Sequence, residues 1–251
     1  MNYSQMTILG FSVIFIATSL GALVSLVVGK SRAEKFSSAS LGFSSGVMLA
    51  ASIWSLLLPS IELSEGLKYA QIIPPVAGFI SGALFMTAIA DRKISKSTIK
   101  LRKPAKLFIA VTVHNIPEGL AVGFSFGSAK LIGNYAAYLT ALGFAVGIAI
   151  QNVPEGAAVS LPFLSVYKSR VKAFSAGVLS GAVEPLFAVI GYFLSQSIAF
   201  IQPYLLAFSA GTMIYVVISD LLPQKTEKSV FDNWTIVVGF LIMMALDVAL
   251  G

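Results

Sequence analysis

The sequence predicts an all-α polytopic membrane protein with eight transmembrane helices, in a 3+2+3 arrangement that contains an inverted repeat. Three observations predict this fold class: the composition, the apolar runs and the distribution of positive charge. Of the 251 residues, 57% are hydrophobic and 11% are charged, and the mean hydropathy is +0.87. These values are far from those of a soluble domain. The absence of cysteine excludes disulfides and thiolate metal ligands.

Long apolar runs recur along the chain, each near or above the roughly 20 residues that cross a bilayer. The first run has no basic region before it and no clear cleavage site, so we interpret it as a membrane span and not a signal peptide. We expect one transmembrane domain over residues 1–251. The predicted spans are 6–29, 37–60, 72–91, 106–128, 133–163, 172–198, 203–222 and 233–250.

Positive charge predicts the orientation of these spans. With eight spans, every Lys and Arg except Lys68 and Lys130 falls on the same side, including those of a basic loop at 92–105. The positive-inside rule places that side in the cytoplasm. We therefore expect a protein of the plasma membrane with both termini outside. We interpret the basic loop as a solvated cytoplasmic segment and expect no nucleic-acid binding.

Two spans of opposite direction resemble each other. Residues 43–49 in span two read Phe-Ser-Ser-Gly-Val-Met-Leu, residues 208–214 in span seven read Phe-Ser-Ala-Gly-Thr-Met-Ile, and both spans end in Leu-Leu-Pro. Such similarity indicates an inverted repeat, a common transporter architecture with its site near the membrane midplane. Chance similarity between Gly- and Ser-rich helices is the alternative. If spans one to three mirror spans six to eight, spans four and five lie at the pseudo-two-fold axis.

Spans four and five carry two nearly identical motifs. Residues 114–119 read His-Asn-Ile-Pro-Glu-Gly, and residues 151–156 read Gln-Asn-Val-Pro-Glu-Gly. On a helix, the carboxylate at the fifth position lies beside both the first and the second side chain. A third carboxylate, Glu184, precedes a proline in span six. Each carboxylate costs about 2.5–3.5 kcal/mol at the bilayer centre, so unpaired carboxylates at this depth indicate function.

The residue types in these motifs indicate a divalent metal. One His, one Gln, two Asn and three Glu form a mixed nitrogen and oxygen set, which suits zinc and also cadmium, iron(II) or manganese. Each neighbouring proline also frees a backbone carbonyl four residues back. Without thiolates, a tight structural zinc site is not expected. The candidate ligands are His114, Asn115, Glu118, Gln151, Asn152, Glu155 and Glu184.

These motifs, followed by Glu184 in the next span, resemble the ZIP family of zinc and iron transporters, and look most like a prokaryotic subgroup. The resemblance covers the whole chain, because the family has eight spans with both ends outside. It implies a transporter and not an enzyme, with Zn²⁺ as the cargo moved into the cytoplasm. Its partners would be divalent metal ions and the lipid bilayer, and a homodimer is left open.

The resemblance also implies a binuclear centre and an elevator mechanism. Spans one, four, five and six would carry the metal past spans two, three, seven and eight. Many relatives have a second histidine at the position of Gln151, and some have an acid at the position of Asn152, so the second site here is less anionic. The first implied site is His114, Glu118, Gln151 and Glu155, and the second is Asn115, Asn152 and Glu184, with Glu118 and Glu155 as bridges.

Three further residues are candidates for the metal path. Ser55 and Asp220 occupy matching positions in the repeat near opposite membrane faces, and Met48 lies two turns before Ser55. We predict that Met48 and Ser55 face the entrance. Asp220 resembles an exit-side acid of relatives, although an interfacial helix-end acid is the alternative. Asp247 is isolated in span eight, and the sequence predicts no role for it.

Other function classes fit the sequence poorly. Two G-x-S-x-G stretches, around Ser44 and Ser125, lie in apolar spans and not at the strand-to-helix turn that gives this pattern its meaning. Small-residue helix packing explains both stretches. The sequence has no H-E-x-x-H motif and no P-loop lysine motif. A passive cation channel is the serious alternative, because the same ligands could line a pore.

Overall fold

A computed structural model describes residues 1–95, 103–195, 199–222 and 230–250. Within these ranges the chain forms helices joined by short connections, and it contains no β-strand. The helices group into eight segments, numbered α1 to α8. They are α1 (Tyr3–Ala22 and Val24–Val27), α2 (Ala33–Ala51, Ser52–Leu57 and Leu58–Glu62), α3 (Ile73–Ser95), α4 (Lys103–Ile132), α5 (Tyr135–Tyr167), α6 (Arg170–Gly181 and Val183–Ser195), α7 (Gln202–Val216 and Val217–Leu221) and α8 (Val230–Leu250). Two 3₁₀ turns, Glu65–Ala70 and Ala199–Ile201, precede α3 and α7.

The helices have the length and apolar character of membrane spans. In the described chain, six segments are long and apolar enough to cross a bilayer, namely α1, α2, α4, α5, α6 and α7. Helices α3 and α8 contain the shorter apolar stretches Ile73–Ala88 and Asn233–Ala249. The prediction of an all-α polytopic membrane protein is confirmed. The predicted basic loop at 92–105 includes residues 96–102, which lie outside the described ranges, as do residues 223–229 with the second Leu-Leu-Pro proline.

Side-chain caps fix where several helices begin. The Asn2 side chain accepts a hydrogen bond from the Gln5 backbone N–H, and the Gln5 side chain accepts one from the Asn2 backbone. Asn134 caps α5 in the same way, through the N–H of Ala137, and Ser169 caps α6 through that of Lys172. These bonds satisfy backbone donors that a helix start leaves free. Each cap lies directly before an apolar run, so polar residues fix where these helices begin.

Helix packing follows the inverted repeat. Helix α1 packs along α5, and α6, which corresponds to α1 in the repeat, packs along α4. Likewise α2 packs along α8, and α7, which corresponds to α2, packs along α3. The inverted repeat relates α1 to α6, α2 to α7, α3 to α8 and α4 to α5. It therefore relates the pair of α1 and α5 to the pair of α6 and α4. It likewise relates the pair of α2 and α8 to the pair of α7 and α3. The helices therefore form two groups: α1, α4, α5 and α6, and α2, α3, α7 and α8.

Glycines at matching positions bring the paired helices into backbone contact. A Cβ at Gly46 of α2 would overlap the backbone of Ile236 in α8. A Cβ at the matching Gly211 of α7 would overlap the backbone of Phe79 in α3. Helices in a membrane associate through such small residues because lipid provides no hydrophobic driving force between them. The repeated Gly in the two similar sequence stretches is therefore a packing residue.

A π-helical turn interrupts both repeated helices at the same place. It covers Ser52–Leu57 in α2 and Val217–Leu221 in α7. In α2 the turn lies just before Pro59, which has no N–H to bond the carbonyl of residue 55. Such turns re-aim the side chains that follow them and are frequent at functional sites. The turns contain Ser55 and Asp220, two of the predicted path residues.

The prolines next to the three carboxylates have different effects. Helices α4 and α5 continue through Pro117 and Pro154. Helix α6 breaks at Ala182, between Gly181 and Val183, where Pro185 also leaves the Gly181 carbonyl without its helical donor. The break places Glu184 in the first turn of the second half of α6. The three carboxylates thus enter the same buried region from three helices.

Candidate metal centre

The seven predicted ligands gather in one buried cluster between α4, α5 and α6. None of them is more than 1% exposed. Contacts divide the cluster into two halves. The histidine half contains His114, Glu118, Gln151 and Glu155. The Glu184 half contains Asn115, Asn152 and Glu184.

In the histidine half, three ligand atoms converge. The His114 Nε2 lies 3.3 Å from Glu155 Oε2 and 3.7 Å from Glu118 Oε1. One ligand atom from each of these residues lies within 4.8 Å of the others. With zinc bonds of about 2.1 Å, ligand atoms around a tetrahedral ion are separated by roughly 3.4 Å. The three side chains are therefore spaced to hold one ion with little rearrangement.

Gln151 closes the histidine half from α5. Its Nε2 donates a 2.6 Å hydrogen bond to Glu118 Oε1. The amide thereby occupies one oxygen of the carboxylate and leaves its own Oε1 without a partner. A metal that took Glu118 Oε1 would compete with this bond, whereas the Gln151 oxygen is already available. Gln151 can therefore serve as a neutral oxygen ligand in the position where a histidine would offer nitrogen.

Unpartnered polar atoms are concentrated in this cluster. Within the described chain, eight buried side-chain nitrogen or oxygen atoms lack a hydrogen-bond partner, and six belong to the predicted ligands. Each such atom costs about 1–3 kcal/mol of desolvation, so a group of them calls for a physical reason. A bound cation would satisfy the oxygens together. The six atoms are His114 Nδ1, Asn115 Oδ1, Glu118 Oε2, Gln151 Oε1, Asn152 Oδ1 and Glu155 Oε1.

The Glu184 half is arranged differently, because donors already occupy both oxygens of its carboxylate. Glu184 Oε1 accepts from Asn115 Nδ2 at 3.1 Å and from the Thr18 hydroxyl at 3.0 Å. Glu184 Oε2 accepts from Asn152 Nδ2 at 2.6 Å. Hydrogen bonds to a carboxylate are stronger than neutral ones, so three of them stabilise this charge without a cation.

Backbone carbonyls fix the orientation of both asparagine amides. The Asn115 amide nitrogen also donates to the Ser180 carbonyl at 3.0 Å, and that of Asn152 to the Ile14 carbonyl at 3.3 Å. Both protons of each amide are thus used, and a flipped amide would place its oxygen against two acceptors. Only the Oδ1 atoms of the two asparagines remain for a metal. A metal could bind these Oδ1 atoms without breaking the amide bonds, whereas a metal at Glu184 Oε1 would displace a donor.

Charge balance in the cluster comes from polar groups and not from basic side chains. Within the described part of the chain, no Lys or Arg forms an ion pair with Glu118, Glu155 or Glu184, and His114 is the one ionisable partner. A buried carboxylate without a counter-charge is strongly disfavoured. The Glu184 half meets this requirement with three donors. The histidine half offers its carboxylates an imidazole and one amide, so it retains the greater demand for a cation.

In the described chain, the three predicted path residues make no hydrogen bond to the cluster. Met48 is fully buried, and its sulfur accepts from Ser44 Oγ at 3.7 Å. Ser55 Oγ lies 3.9 Å from the Cβ position of Gly147, one turn before Gln151 in α5. Asp220 is exposed, and one of its oxygens accepts from Ser219.

Two residues with clear contacts were missed by sequence reasoning. Asp247 of α8 accepts a 2.7 Å hydrogen bond from Ser55, which gives this isolated acid a partner in α2. Thr18 of α1 contacts Glu184 directly. The signal for Thr18 was its place in span one, which the inverted repeat pairs with span six. A single threonine among apolar residues gives no motif, so only the packed helices reveal the contact.

Comparison with known proteins gives one consistent family. The model of the ZIP zinc transporter family matches residues 105–247. The chain is 32% identical to zinc transporter ZIP11 of Homo sapiens, over 93% of this chain and 94% of that protein. It is 32% identical to zinc transporter ZIPB of Bordetella bronchiseptica, over 97% of this chain and 81% of that protein. It is 35% identical to zinc transporter ZupT of Chlorobium limicola, over 84% and 85% respectively.

Proposed function

The chain belongs to the ZIP family of zinc transporters, and from that membership we propose that it carries Zn²⁺ into the cytoplasm through a binuclear site between α4, α5 and α6. It is a membrane transporter and not an enzyme. The similar proteins are bacterial and vertebrate, so the prokaryotic subgroup stays a prediction. Cadmium, iron(II) and manganese are further cargo candidates, since the ligand set is mixed nitrogen and oxygen.

One observation carries the proposal: the convergence of His114 Nε2 with carboxylate oxygens of Glu118 and Glu155 within 4.8 Å, at full burial. An imidazole with two carboxylates and no thiolate suits a borderline metal that must later be released. The unpartnered oxygens of Glu118 and Glu155 support their use as bridges. They leave each carboxylate one oxygen for a second ion beside Asn115 and Asn152.

An elevator motion is the mechanism that the packing supports best. Close glycine contacts join helix backbones within each group of four helices, such as Gly21 and Gly156 between α1 and α5, and Gly119 between α4 and α6. In the described chain, no glycine makes such a backbone contact between the two groups. The groups meet through side chains instead, chiefly where α2 faces α5 and α4 faces α7. Sliding of α1, α4, α5 and α6 as one body past the other group would leave the tightest contacts intact.

A passive channel is the competing function, and burial weighs against it. The seven ligands are at most 1% exposed, so the cluster is closed towards both sides of the membrane. A channel requires a continuous path in its conducting state, whereas a carrier passes through a closed state. Saturable uptake without unitary currents would favour the carrier. Currents through single molecules in a planar bilayer would favour the channel.

The direct test is metal uptake by proteoliposomes that contain the purified protein. We expect zinc uptake that saturates with concentration, together with competition by cadmium, iron(II) or manganese. Glu118→Ala should show no uptake. Exposed Glu34, outside the cluster, provides the matched control, and Glu34→Ala should transport like the parent. Equal uptake by Glu118→Ala and Glu34→Ala would contradict the proposed site.

Orientation can be tested by cysteine labelling, because the parent chain has no cysteine. We expect Ser31→Cys, between α1 and α2, to react only from the cytoplasm. Ile132→Cys at the end of α4, where the side chain is 63% exposed, should react only from outside the cell. Ser97, in the predicted basic loop, lies outside the described residues and should behave as Ser31 does. External labelling at Ser31 would show that the helices cross the plasma membrane in the opposite direction to the one proposed.

A further inference from the structure

Thr18 of α1 has one hydroxyl proton and two acceptors within reach. Its Oγ1 lies 3.0 Å from Glu184 Oε1 and 3.2 Å from the Ile14 carbonyl oxygen of its own helix. Thr18 is fully buried, so no bulk water competes for either bond. The side chain can therefore donate to Glu184 in one rotor state and to Ile14 in the other.

The pseudo-symmetry places Thr18 opposite Glu184. The motif glycine Gly119 packs against the backbone carbonyl of Glu184, and the repeated motif glycine Gly156 packs against the backbone carbonyl of Thr18. Thr18 thus holds in α1 the position that Glu184 holds in α6. If α1 had a glutamate at position 18, its carboxylate would lie opposite that of Glu184, and two like charges so close are costly. A hydroxyl at this position supplies a donor instead.

A metal that takes Oε1 of Glu184 requires that a donor leaves that oxygen. Oxygen Oε1 of Glu184 accepts two hydrogen bonds, from Asn115 and Thr18, which use both of its lone pairs. The Asn115 amide is also held by the Ser180 carbonyl, so its withdrawal would break a second bond. The Thr18 hydroxyl can turn to the Ile14 carbonyl, which already accepts a 3.3 Å bond from the Asn152 amide, and share that acceptor. Thr18 is therefore the donor that leaves at the lowest cost.

We propose that Thr18 is a positioning residue of the second metal site, which rests on the proposed binuclear function. Its hydroxyl stabilises the Glu184 carboxylate when the site is empty and turns to the Ile14 carbonyl when a metal takes Oε1. In the empty site, the Thr18 hydroxyl thus replaces the metal as the partner of Glu184 Oε1. This substitution weakens metal binding and speeds release, as a transport site requires.

The test is zinc binding to the purified protein in detergent, for the parent, Thr18→Val and Thr18→Ser. Valine keeps the shape and removes the hydroxyl, so the empty site loses a bond to a charged group. We expect the second equivalent of zinc to bind about tenfold more tightly in Thr18→Val, in line with the strength of such a bond. In uptake assays the same variant should show a lower KM together with a lower maximal rate. Serine keeps the hydroxyl and should restore parent values.

A merely structural role of Thr18 would lower the maximal rate and the thermal stability without tightening zinc binding. Thr18→Ala repeats the test without the bulk of valine, should that variant be unstable. In a Glu184→Gln background, Thr18→Val should leave the affinity for the second zinc unchanged, because the pair acts as a unit. An unaltered or weaker second affinity in Thr18→Val and Thr18→Ala overturns the inference, as does a parent that binds a single zinc. A parent that binds two zinc ions but does not transport them contradicts the proposed function and leaves the role of Thr18 standing.

Discussion

In the histidine half of the buried cluster, Glu118 Oε2, Glu155 Oε1 and Gln151 Oε1 lack hydrogen-bond donors, whereas in the Glu184 half both carboxylate oxygens are occupied by donors from α1, α4 and α5. The two halves use similar residue types at equal burial. They differ in how the negative charge is balanced. The histidine half leaves three oxygens without donors, and the Glu184 half carries its own donors.

This difference indicates an order of binding. An ion that enters the cluster finds the greatest electrostatic gain at His114, Glu118 and Glu155, where ligand atoms already converge. At Glu184 donors already bond both carboxylate oxygens, and an ion at Oε1 must displace one of them, so the net gain is smaller. We therefore expect the first zinc to bind in the histidine half and the second to bind more weakly. Substitutions in the two halves should differ in severity accordingly.

The largest effect is expected at the two proposed bridging carboxylates. Glu118→Ala or Glu155→Ala removes a ligand from both halves, so zinc uptake should fall to background while the protein still folds and inserts. The measurement is initial uptake in proteoliposomes, normalised to protein recovered as a single species in gel filtration. Uptake near the parent level in either variant would remove the basis for a binuclear site.

An intermediate effect is expected at Glu184. Glu184→Ala removes the carboxylate of the Glu184 half, so the second zinc should be lost while the histidine half still binds the first. We expect residual transport at a reduced rate, and a binding stoichiometry that falls from two zinc ions to one. Complete loss of uptake together with loss of both ions would show that the halves do not bind separately.

The smallest and most specific effect is expected from His114→Gln. A metal ligand must be deprotonated, so protons compete with zinc and its affinity should fall as the pH drops from about 7 to 5. The imidazole, whose unperturbed pKa is about 6.5, contributes the upper part of this fall. The glutamine variant should therefore have a flatter profile near neutrality and a preference shifted towards manganese, which favours oxygen ligands.

The measurement for His114→Gln is metal binding against pH for zinc and manganese, with the parent protein measured in parallel. The chain has no other histidine, so the substitution removes its one imidazole. Identical pH profiles and identical ratios of zinc to manganese affinity in parent and variant would show that His114 is not a ligand.

Much of the architecture could be read from local sequence patterns. Apolar runs predict membrane helices because an unsatisfied backbone cannot exist in lipid. The two similar stretches in spans two and seven predict the mirrored packing, which the matching contacts of Gly46 and Gly211 display. The paired motifs of spans four and five predict a shared cluster, because helical spacing places their polar residues on one face. In each case the deciding information is the residue pattern of one span or the similarity of two spans.

The division of the cluster into two halves could not be predicted in the same way. The number of hydrogen bonds that Glu184 Oε1 accepts depends on Thr18, which lies in α1 and has no recognisable motif. The orientation of the asparagine amides depends on the carbonyls of Ser180 and Ile14, and every sequence has such carbonyls at every position. The pairing of Ser55 with Asp247 likewise depends on how α2 and α8 meet.

The sequence by itself determined the class of protein, the polar residues within its helices and the chemical character of the ligand set. These properties follow from residue type and from helical periodicity, and both can be read from a single segment of the chain. Only the tertiary structure decided which ligands are free to take a metal. Hydrogen-bond saturation depends on angstrom-scale distances between groups on different helices, such as Thr18 and Glu184. Those distances are set by the glycine contacts that hold α1 against α5 and α4 against α6.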